Sequence, residues 1–235
     1  NEYFTCNNIS EADRMGYNSS PYNVGYTTYM PFENIDNKNM VGILSNYLSD
    51  FQNIYDIDIN YIYYNNIEDM KRDFSNGELD LVFGNFNTNG LNIDLFKTKS
   101  LFNEQYVILS KDTFIVNSIK SLIGKEVYTI KDSYLNDLVT ANGISYKVYP
   151  NTDELLRHIK SDSIILIDKE TYEYYKINKF SDYNELYRGN LPYNYMFLIR
   201  DVNKNTIFGK MFTYYTETVN YNSVRFNYNT SISNY

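Results

Sequence analysis

The feature that most constrains the fold is an alternation of strand-like and helix-like segments that occurs twice along the chain. In the first unit, "NVGYTT" (23–28), "IDINYIYY" (57–64) and "ELDLVFG" (78–84) read as strands. In the second unit, the segments that read as strands are "EVYTI", "SYKVY" and "DSIILID". The segments between the strands have the apolar spacing of helices. Strand–helix–strand alternation predicts parallel strands joined by helical crossovers. The sequence therefore predicts an α/β protein with two units of similar size.

Residues that begin and end helices support this division. Asn66 or Asn65 can cap the helix in "NIEDMKRDFSNG", and Gly77 is placed to end it. Ser133 can cap "YLNDLVTA", with Gly143 as its end. Val41, Leu44, Leu48 and Phe51 recur at helical spacing and predict an earlier helix after a polar turn.

Two further strands read as connectors between the units. "EQYVILSKD" (104–112) and "YNYMFLIR" (193–200) flank the second unit, and a last helix is predicted over 203–220. We therefore expect the chain to cross between lobes near residues 107–110 and 192–195. Residues 23–107 and 194–235 would form lobe 1, and residues 108–193 would form lobe 2. Residues 1–22 would be a linker with a short helix in "ISEADRMG", capped by Ser10.

Composition excludes several classes of function. The net charge is −8 and no basic stripe is present, so a nucleic-acid partner is not expected. Cys6 is the only cysteine and His158 the only histidine, which leaves no material for a Cys- or His-rich metal site. No cofactor or bound metal is expected. No apolar run approaches the roughly 18 residues of a membrane span.

Five motifs then occur in a fixed order over residues 23–200. They are "VGYTTYMPFENIDNKNMVGILSNYL", "MKRDFSNGELDLVFG", "LFNEQYVILSKD", "LIGKEV" and "SIILID". Together they resemble the family 3 extracellular solute-binding proteins of bacteria. That resemblance implies a two-lobed periplasmic-binding-protein type II fold, in which each lobe is a mainly parallel sheet flanked by helices and a ligand binds between the lobes.

The first lobe supplies one side of the cleft in this family. Tyr29, two positions before the proline of the corner, corresponds to a residue that faces the ligand. The resemblance assigns Phe32 mainly to packing that fixes the loop. The loop after "DLVF" presents small or polar groups to a ligand ammonium, and here it contains Asn85, Phe86 and Asn87.

The carboxylate side of an amino-acid site departs from the family pattern. Amino-acid binders place an arginine near the position of Asn92, yet residues 81–95 contain neither arginine nor lysine. In the second lobe Ser133 stands where an anion would meet a helix N-terminus, and Asp132 replaces the usual glycine. Asp168 matches the acid that receives the ligand's amino group. An N-cap for the helix "KETYEYY" is the alternative role for Asp168, and the two roles are compatible.

The resemblance implies a non-enzymatic binding module. "ISEADRMGYNSSPYNVGY" resembles the acidic helix ahead of the first strand in sensor domains of transmembrane histidine kinases and diguanylate cyclases. We therefore expect an extracellular, membrane-anchored sensor domain that closes around a small amine, an amino-acid derivative or a short peptide, with a homodimer as a further expectation for the full receptor. The alternative is the substrate-binding protein of an amino-acid ABC importer. An enzyme of the same fold would need anion-binding arginines in the cleft, and the cleft segment has none.

Overall fold

The computed structural model describes residues 21–96 and 98–233, with side chains as far as residue 229. Cys6 and the helix expected in "ISEADRMG" lie outside these residues. The strands are β1 Tyr22–Tyr26, β2 Asn34–Asp36, β3 Asn39–Val41, β4 Ile59–Tyr63, β5 Leu81–Gly84, β6 Phe102–Ser110, β7 Glu126–Ile130, β8 Ser145–Tyr149, β9 Ile164–Asp168 and β10 Asn184–Ile199. The α-helices are α1 Ile43–Tyr55, α2 Ile67–Asn76, α3 Tyr134–Ala141, α4 Thr152–His158, α5 Lys169–Lys179, α6 Thr206–Thr218 and α7 Tyr221–Ser233.

Parallel strands with helical crossovers form both units, as the alternation predicts. On one side β1 pairs in parallel with β4 and β5, and on the other β7 pairs in parallel with β8 and β9. The hydrogen-bonded order is β4-β1-β5-β10-β6-β9-β7-β8. The helix ends also follow the sequence. The Asn66 side chain accepts from the Glu68 N–H at 2.9 Å, and Gly77 has a left-handed φ of 91°.

Strand β10 joins the two ladders. Its last four residues, from Met196 to Ile199, pair with β5, whereas its earlier residues pair with β6. A register shift between Asn190 and Asn194 separates these two parts. On β6, Tyr106 already lies opposite Asp168 of β9, so this strand belongs to the second ladder before residue 107.

Three segments differ from the sequence-based expectation. Val41 lies in β3, not in the following helix, because residues 34–41 form a hairpin whose turn residues Asn37 and Lys38 both have positive φ. Strand β10 begins nine residues before the expected "YNYMFLIR". The segment expected as one last helix consists of a 3₁₀ turn and α6, and α7 follows as a separate helix.

Helix α7 contacts both sides of the molecule. It packs on α1 of the first lobe. The Tyr221 ring stacks on Phe102 of β6 with centroids 4.5 Å apart, and the Arg225 guanidinium donates to Glu170 at the start of α5 at 2.6 Å. Within the described part of the chain, no helix combines the length and the apolar character that crossing a membrane requires.

Candidate functional site

A tight corner after β1 presents Tyr29. The Tyr29 N–H donates to the Glu33 carbonyl at 2.7 Å, and the Phe32 N–H donates to the Tyr29 carbonyl at 2.9 Å. Gly42 then passes so close to the corner that a Cβ on it would lie 2.5 Å from the Phe32 carbonyl oxygen, at a φ of 113°. Only glycine fits such a position without strain. This explains the lone glycine between the proline corner and α1.

Buried aromatic rings surround Phe32. It is completely buried, and its ring lies 5.4–6.0 Å, centroid to centroid, from the rings of Tyr29, Phe83, Phe102 and Tyr195. Such offset and tilted pairs contribute beyond area burial alone. The contacts agree with a role for Phe32 in packing the corner against β5, β6 and β10.

Asp168 lies at the carboxyl end of β9 and is 1% exposed. Its two carboxylate oxygens accept hydrogen bonds from different tyrosines: Oδ2 from the Tyr29 hydroxyl and Oδ1 from the Tyr195 hydroxyl. Asp168 occupies the N-cap position of α5, but its side chain makes no capping hydrogen bond to that helix among the described residues. The carboxylate is therefore directed toward the first lobe and β10, away from the N–H groups that begin α5.

Burial dominates the electrostatics around Asp168. Burial raises the pKa of Asp168 to about 6, although the hydrogen bonds from Tyr195 and Tyr29 act to lower it. Burial also raises the pKa of the Tyr29 and Tyr195 hydroxyls well above their usual value. Both tyrosines are therefore protonated donors at neutral pH.

Glu104 is a second buried acid beside this group, and sequence reasoning missed it. It is 2% exposed, and its Oε1 accepts from the Gln105 N–H at 2.7 Å. Among the described residues, Oε2 has no hydrogen-bond partner. Burial, together with the neighbouring Asp168 charge, raises the pKa of Glu104 to about 9. The site therefore holds two buried acids, and ionisation of one disfavours ionisation of the other.

The loop after β5 separates the three residues that the resemblance grouped together. Asn85 is buried, and its carbonyl accepts from the Tyr134 N–H at 3.0 Å. Phe86 belongs to a distinct apolar cluster with α2, and the Lys71 ammonium lies 5.0 Å from its ring centroid. Asn87 is exposed and its side chain accepts from the Asn89 N–H at 2.9 Å. The structure thus brings Asn85 to the surface where the two lobes contact each other, which we call the seam. Phe86 packs in lobe 1, and Asn87 forms a surface turn.

Ser133 caps α3 at the other side of the seam. Its hydroxyl donates to the Ile130 carbonyl at 2.7 Å and accepts from the Asn136 N–H at 3.3 Å. It is fully buried. Asp132 adopts a positive φ of 52°, the conformation that the family's glycine would adopt easily. Asn92, at the expected arginine position, is exposed.

Tyr195 is the other residue that sequence reasoning missed. The signal available was the two-residue periodicity of β10, which places Tyr195 on the same face as Phe197. That periodicity identifies a buried face but not its partner across the sheet. Only the pairing of β10 with β6, and of β6 with β9, brings Tyr195 to Asp168.

Comparisons with known proteins identify the fold. No protein-family profile and no curated protein matches the chain. A histidine kinase sensor domain similar to periplasmic binding proteins has a TM-score of 0.75 at 14% identity, covering 90% of this chain and 96% of that one. The periplasmic VFT2 domain of BvgS from Bordetella pertussis has a TM-score of 0.71 at 13% identity, covering 92% and 96%. An ancestral arginine-binding protein bound to arginine has a TM-score of 0.71 at 16% identity, covering 87% and 96%.

The chain has the two-lobed periplasmic-binding-protein type II fold. The similar structures cover 87–92% of the chain, and they are sensor domains and ligand-binding proteins. The fold expected from the five motifs is therefore confirmed. At identities of this size the comparison establishes the fold, and the ligand has to be argued from the site.

Proposed function

We propose that this chain is the ligand-binding sensor domain of a transmembrane signalling protein and that it receives a small amine between its lobes. The observation that carries the proposal is the Asp168 carboxylate, which is buried at the carboxyl end of β9 and contacted by hydroxyls of Tyr29 and Tyr195. Open α/β sheets bind ligands at the carboxyl ends of their strands. Neither hydroxyl carries a positive charge that would balance the acid.

A cationic ligand would supply that missing charge. Burying a carboxylate without a cation is costly, and the raised pKa of Asp168 expresses this cost. Glu104 adds a neutral carboxyl nearby, because its pKa of about 9 keeps it protonated at neutral pH, and among the described residues its Oε2 has no hydrogen-bond partner. An ammonium placed at Asp168 would gain charge-assisted hydrogen bonds, which are about twice as strong as neutral ones.

An unmodified amino acid fits the site less well than an amine. Residues 81–95 contain no arginine or lysine. The Tyr134 N–H at the start of α3 already donates a hydrogen bond to the Asn85 carbonyl. A ligand α-carboxylate would lack its usual bidentate partner, which is typically worth about 1.5–3 kcal/mol. We therefore expect standard amino acids to bind weakly. Submicromolar binding of one of them, with its carboxylate in the cleft, would contradict this step.

The signalling role is favoured over the importer by two features. The acidic segment "ISEADRMG" before β1 resembles the corresponding segment of sensor domains. The loss of the carboxylate-binding arginine removes what an amino-acid importer needs most. In this proposal the domain is extracellular and flanking segments anchor it to a membrane. Lobe 1 comprises residues 23–107 and 194–235, and lobe 2 comprises residues 108–193.

A thermal-shift screen tests the ligand class. Primary amines, amino-acid amides and short peptides would be compared with alcohols of the same shape, in which a hydroxyl replaces the amino group. The proposal expects some amines to raise the melting temperature and their matched alcohols to leave it unchanged. If alcohols and amines of the same shape stabilise the protein equally, the charge of Asp168 does not select the ligand and the proposed class is wrong.

A further inference from the structure

The groups that a ligand would contact in this fold are paired with the protein's own groups across the seam between the lobes. At the acidic end, Asp168 of the second lobe accepts from Tyr29 of the first lobe and from Tyr195 of β10. All three residues are at least 98% buried. The hydroxyls thus stand where a ligand's ammonium would donate.

Two helix N-termini of the second lobe are paired in the same manner. The first N–H of α3, on Tyr134, donates to the Asn85 carbonyl of the first lobe at 3.0 Å. The first N–H of α4, on Thr152, lies 3.5 Å from the Thr28 carbonyl of the first lobe. Exposed N–H groups at a helix N-terminus ordinarily attract an anionic ligand. Here carbonyls of the first lobe accept from them.

Two more contacts continue the seam toward the surface. The Asn151 side-chain amide donates to the Asn65 carbonyl at 2.8 Å. The Lys131 ammonium forms an ion pair with Glu68 at 2.7 Å, and both side chains are substantially exposed. The exposed pair contributes little, so the buried hydrogen bonds to Asp168 and Asn85 dominate the seam.

We infer that the domain closes on itself without a ligand, with Tyr29, Tyr195 and Asn85 acting as an internal substitute for one. Opening the lobes would replace the hydrogen bonds to Asp168, Asn85 and Thr28 by bonds to water. An intramolecular hydrogen bond contributes a net stabilisation over its replacement by water, and contributes more when one partner is a carboxylate, so the closed arrangement is the favoured state. This inference does not rest on the proposed amine ligand. A ligand, where one binds, has to compete with the tyrosine hydroxyls.

Inter-lobe distances measured by pulsed electron paramagnetic resonance test the inference. Cys6→Ser removes the native thiol, and Asp69→Cys and Thr140→Cys place one spin label on the exposed surface of each lobe. The protein is unfolded in guanidinium, dialysed and refolded, so that any co-purified small molecule is removed. The spin-labelled protein with only these three substitutions is the background protein. It is compared with variants that carry Tyr29→Phe and Tyr195→Phe in addition, singly and together.

Tyr193→Phe is the matched control. It also loses one tyrosine hydroxyl from β10, but the Tyr193 ring stacks on Tyr134 with centroids 4.3 Å apart, and phenylalanine preserves that contact. Circular dichroism and thermal unfolding confirm that each variant folds. If the double variant fails to fold, the two single variants carry the comparison.

The expected result is one narrow distance distribution for the background protein and for Tyr193→Phe. Tyr29→Phe and Tyr195→Phe should broaden it and add longer distances, most strongly in combination. A broad distribution in the stripped background protein that narrows only on adding an amine would overturn self-closure while leaving the proposed ligand class standing. A narrow distribution in every variant would overturn the role of the hydroxyls.

Discussion

Replacement of Glu33 by glutamine should remove part of the pH dependence of stability. Glu33 lies in the corner that presents Tyr29, is 3% exposed, and accepts from the Thr27 N–H at 3.1 Å and from the Thr27 hydroxyl at 3.2 Å, both through Oε1. Burial raises the pKa of Glu33 to about 8, although both Thr27 hydrogen bonds act to lower it. Glutamine keeps the accepting oxygen but cannot ionise, so Glu33→Gln isolates the charge.

The sign and size of the effect follow from proton linkage. A carboxyl whose pKa is raised on folding contributes stability that is complete below its unfolded pKa of about 4.3 and is lost as pH rises through its folded value. With a folded pKa of about 8, integrating this linkage gives a loss of roughly 3–4 kcal/mol between about pH 5 and pH 8. Asp168 and Glu104 also have raised pKa values and add to the wild-type slope, so the readout is the difference between wild type and variant.

Urea unfolding followed by far-UV circular dichroism at several pH values between about 5 and 8 provides the assay. The wild-type free energy of unfolding should fall more steeply with rising pH than that of Glu33→Gln, and the curves should converge at low pH. Glu78→Gln, at an exposed position, should follow the wild type. Parallel curves for the wild type and Glu33→Gln would refute the argument that Glu33 is buried in its neutral form.

Two packing predictions concern the first lobe. Phe32→Ala should lower the free energy of unfolding by about 3–5 kcal/mol because it leaves a cavity among four aromatic rings. Phe32→Leu should lower it less, because leucine refills part of that volume. Equal and small effects of the two substitutions in urea unfolding would contradict this packing. Gly25→Ala should cost about 1–3 kcal/mol, since its Cβ would lie 2.5 Å from Cδ1 of the buried Leu79. Gly90→Ala, whose Cβ would meet no atom within 4 Å, is the control and should be nearly neutral.

Local signals in the sequence predicted most of the fold. Asn66 and Ser133 cap their helices through their side chains, and Gly77 and Gly143 end theirs with positive φ. These features depend on interactions within a few residues, so a single sequence reveals them. The order of the two α/β units also follows from short-range periodicity.

The errors lie where long-range contacts override local preference. Glycine and proline weaken strand interiors, yet β10 continues through Gly189 and Pro192, because a register shift accommodates Pro192 and the Tyr106 ring packs directly over Gly189. Helix α7, "YNSVRFNYNTSIS", has weak apolar periodicity, and its contacts with Phe102 and Glu170 hold it in place.

The candidate site was predictable only in part for the same reason. Tyr29 and Asp168 could be assigned from the motifs that precede and contain them. Tyr195 and Glu104 could not be assigned in this way. No local signal distinguishes Tyr195 from the other tyrosines among the 27 in the chain, and a glutamate in a strand is ordinarily expected at the surface. Their role depends on strand pairing that joins residues far apart in the chain.

The measurement that tests the proposed function most directly is the calorimetric affinity of Asp168→Asn for the amine that stabilises the wild type most in the thermal-shift screen. Asp162→Asn, the same change at an exposed position of the same lobe, is the control. Replacing a charge-assisted hydrogen bond by a neutral one should weaken binding to Asp168→Asn by about five- to tenfold, and Asp162→Asn should bind as the wild type does. Unchanged affinity in Asp168→Asn would contradict the account, because Asp168 would then have a structural role and the cleft would have no group that selects an ammonium.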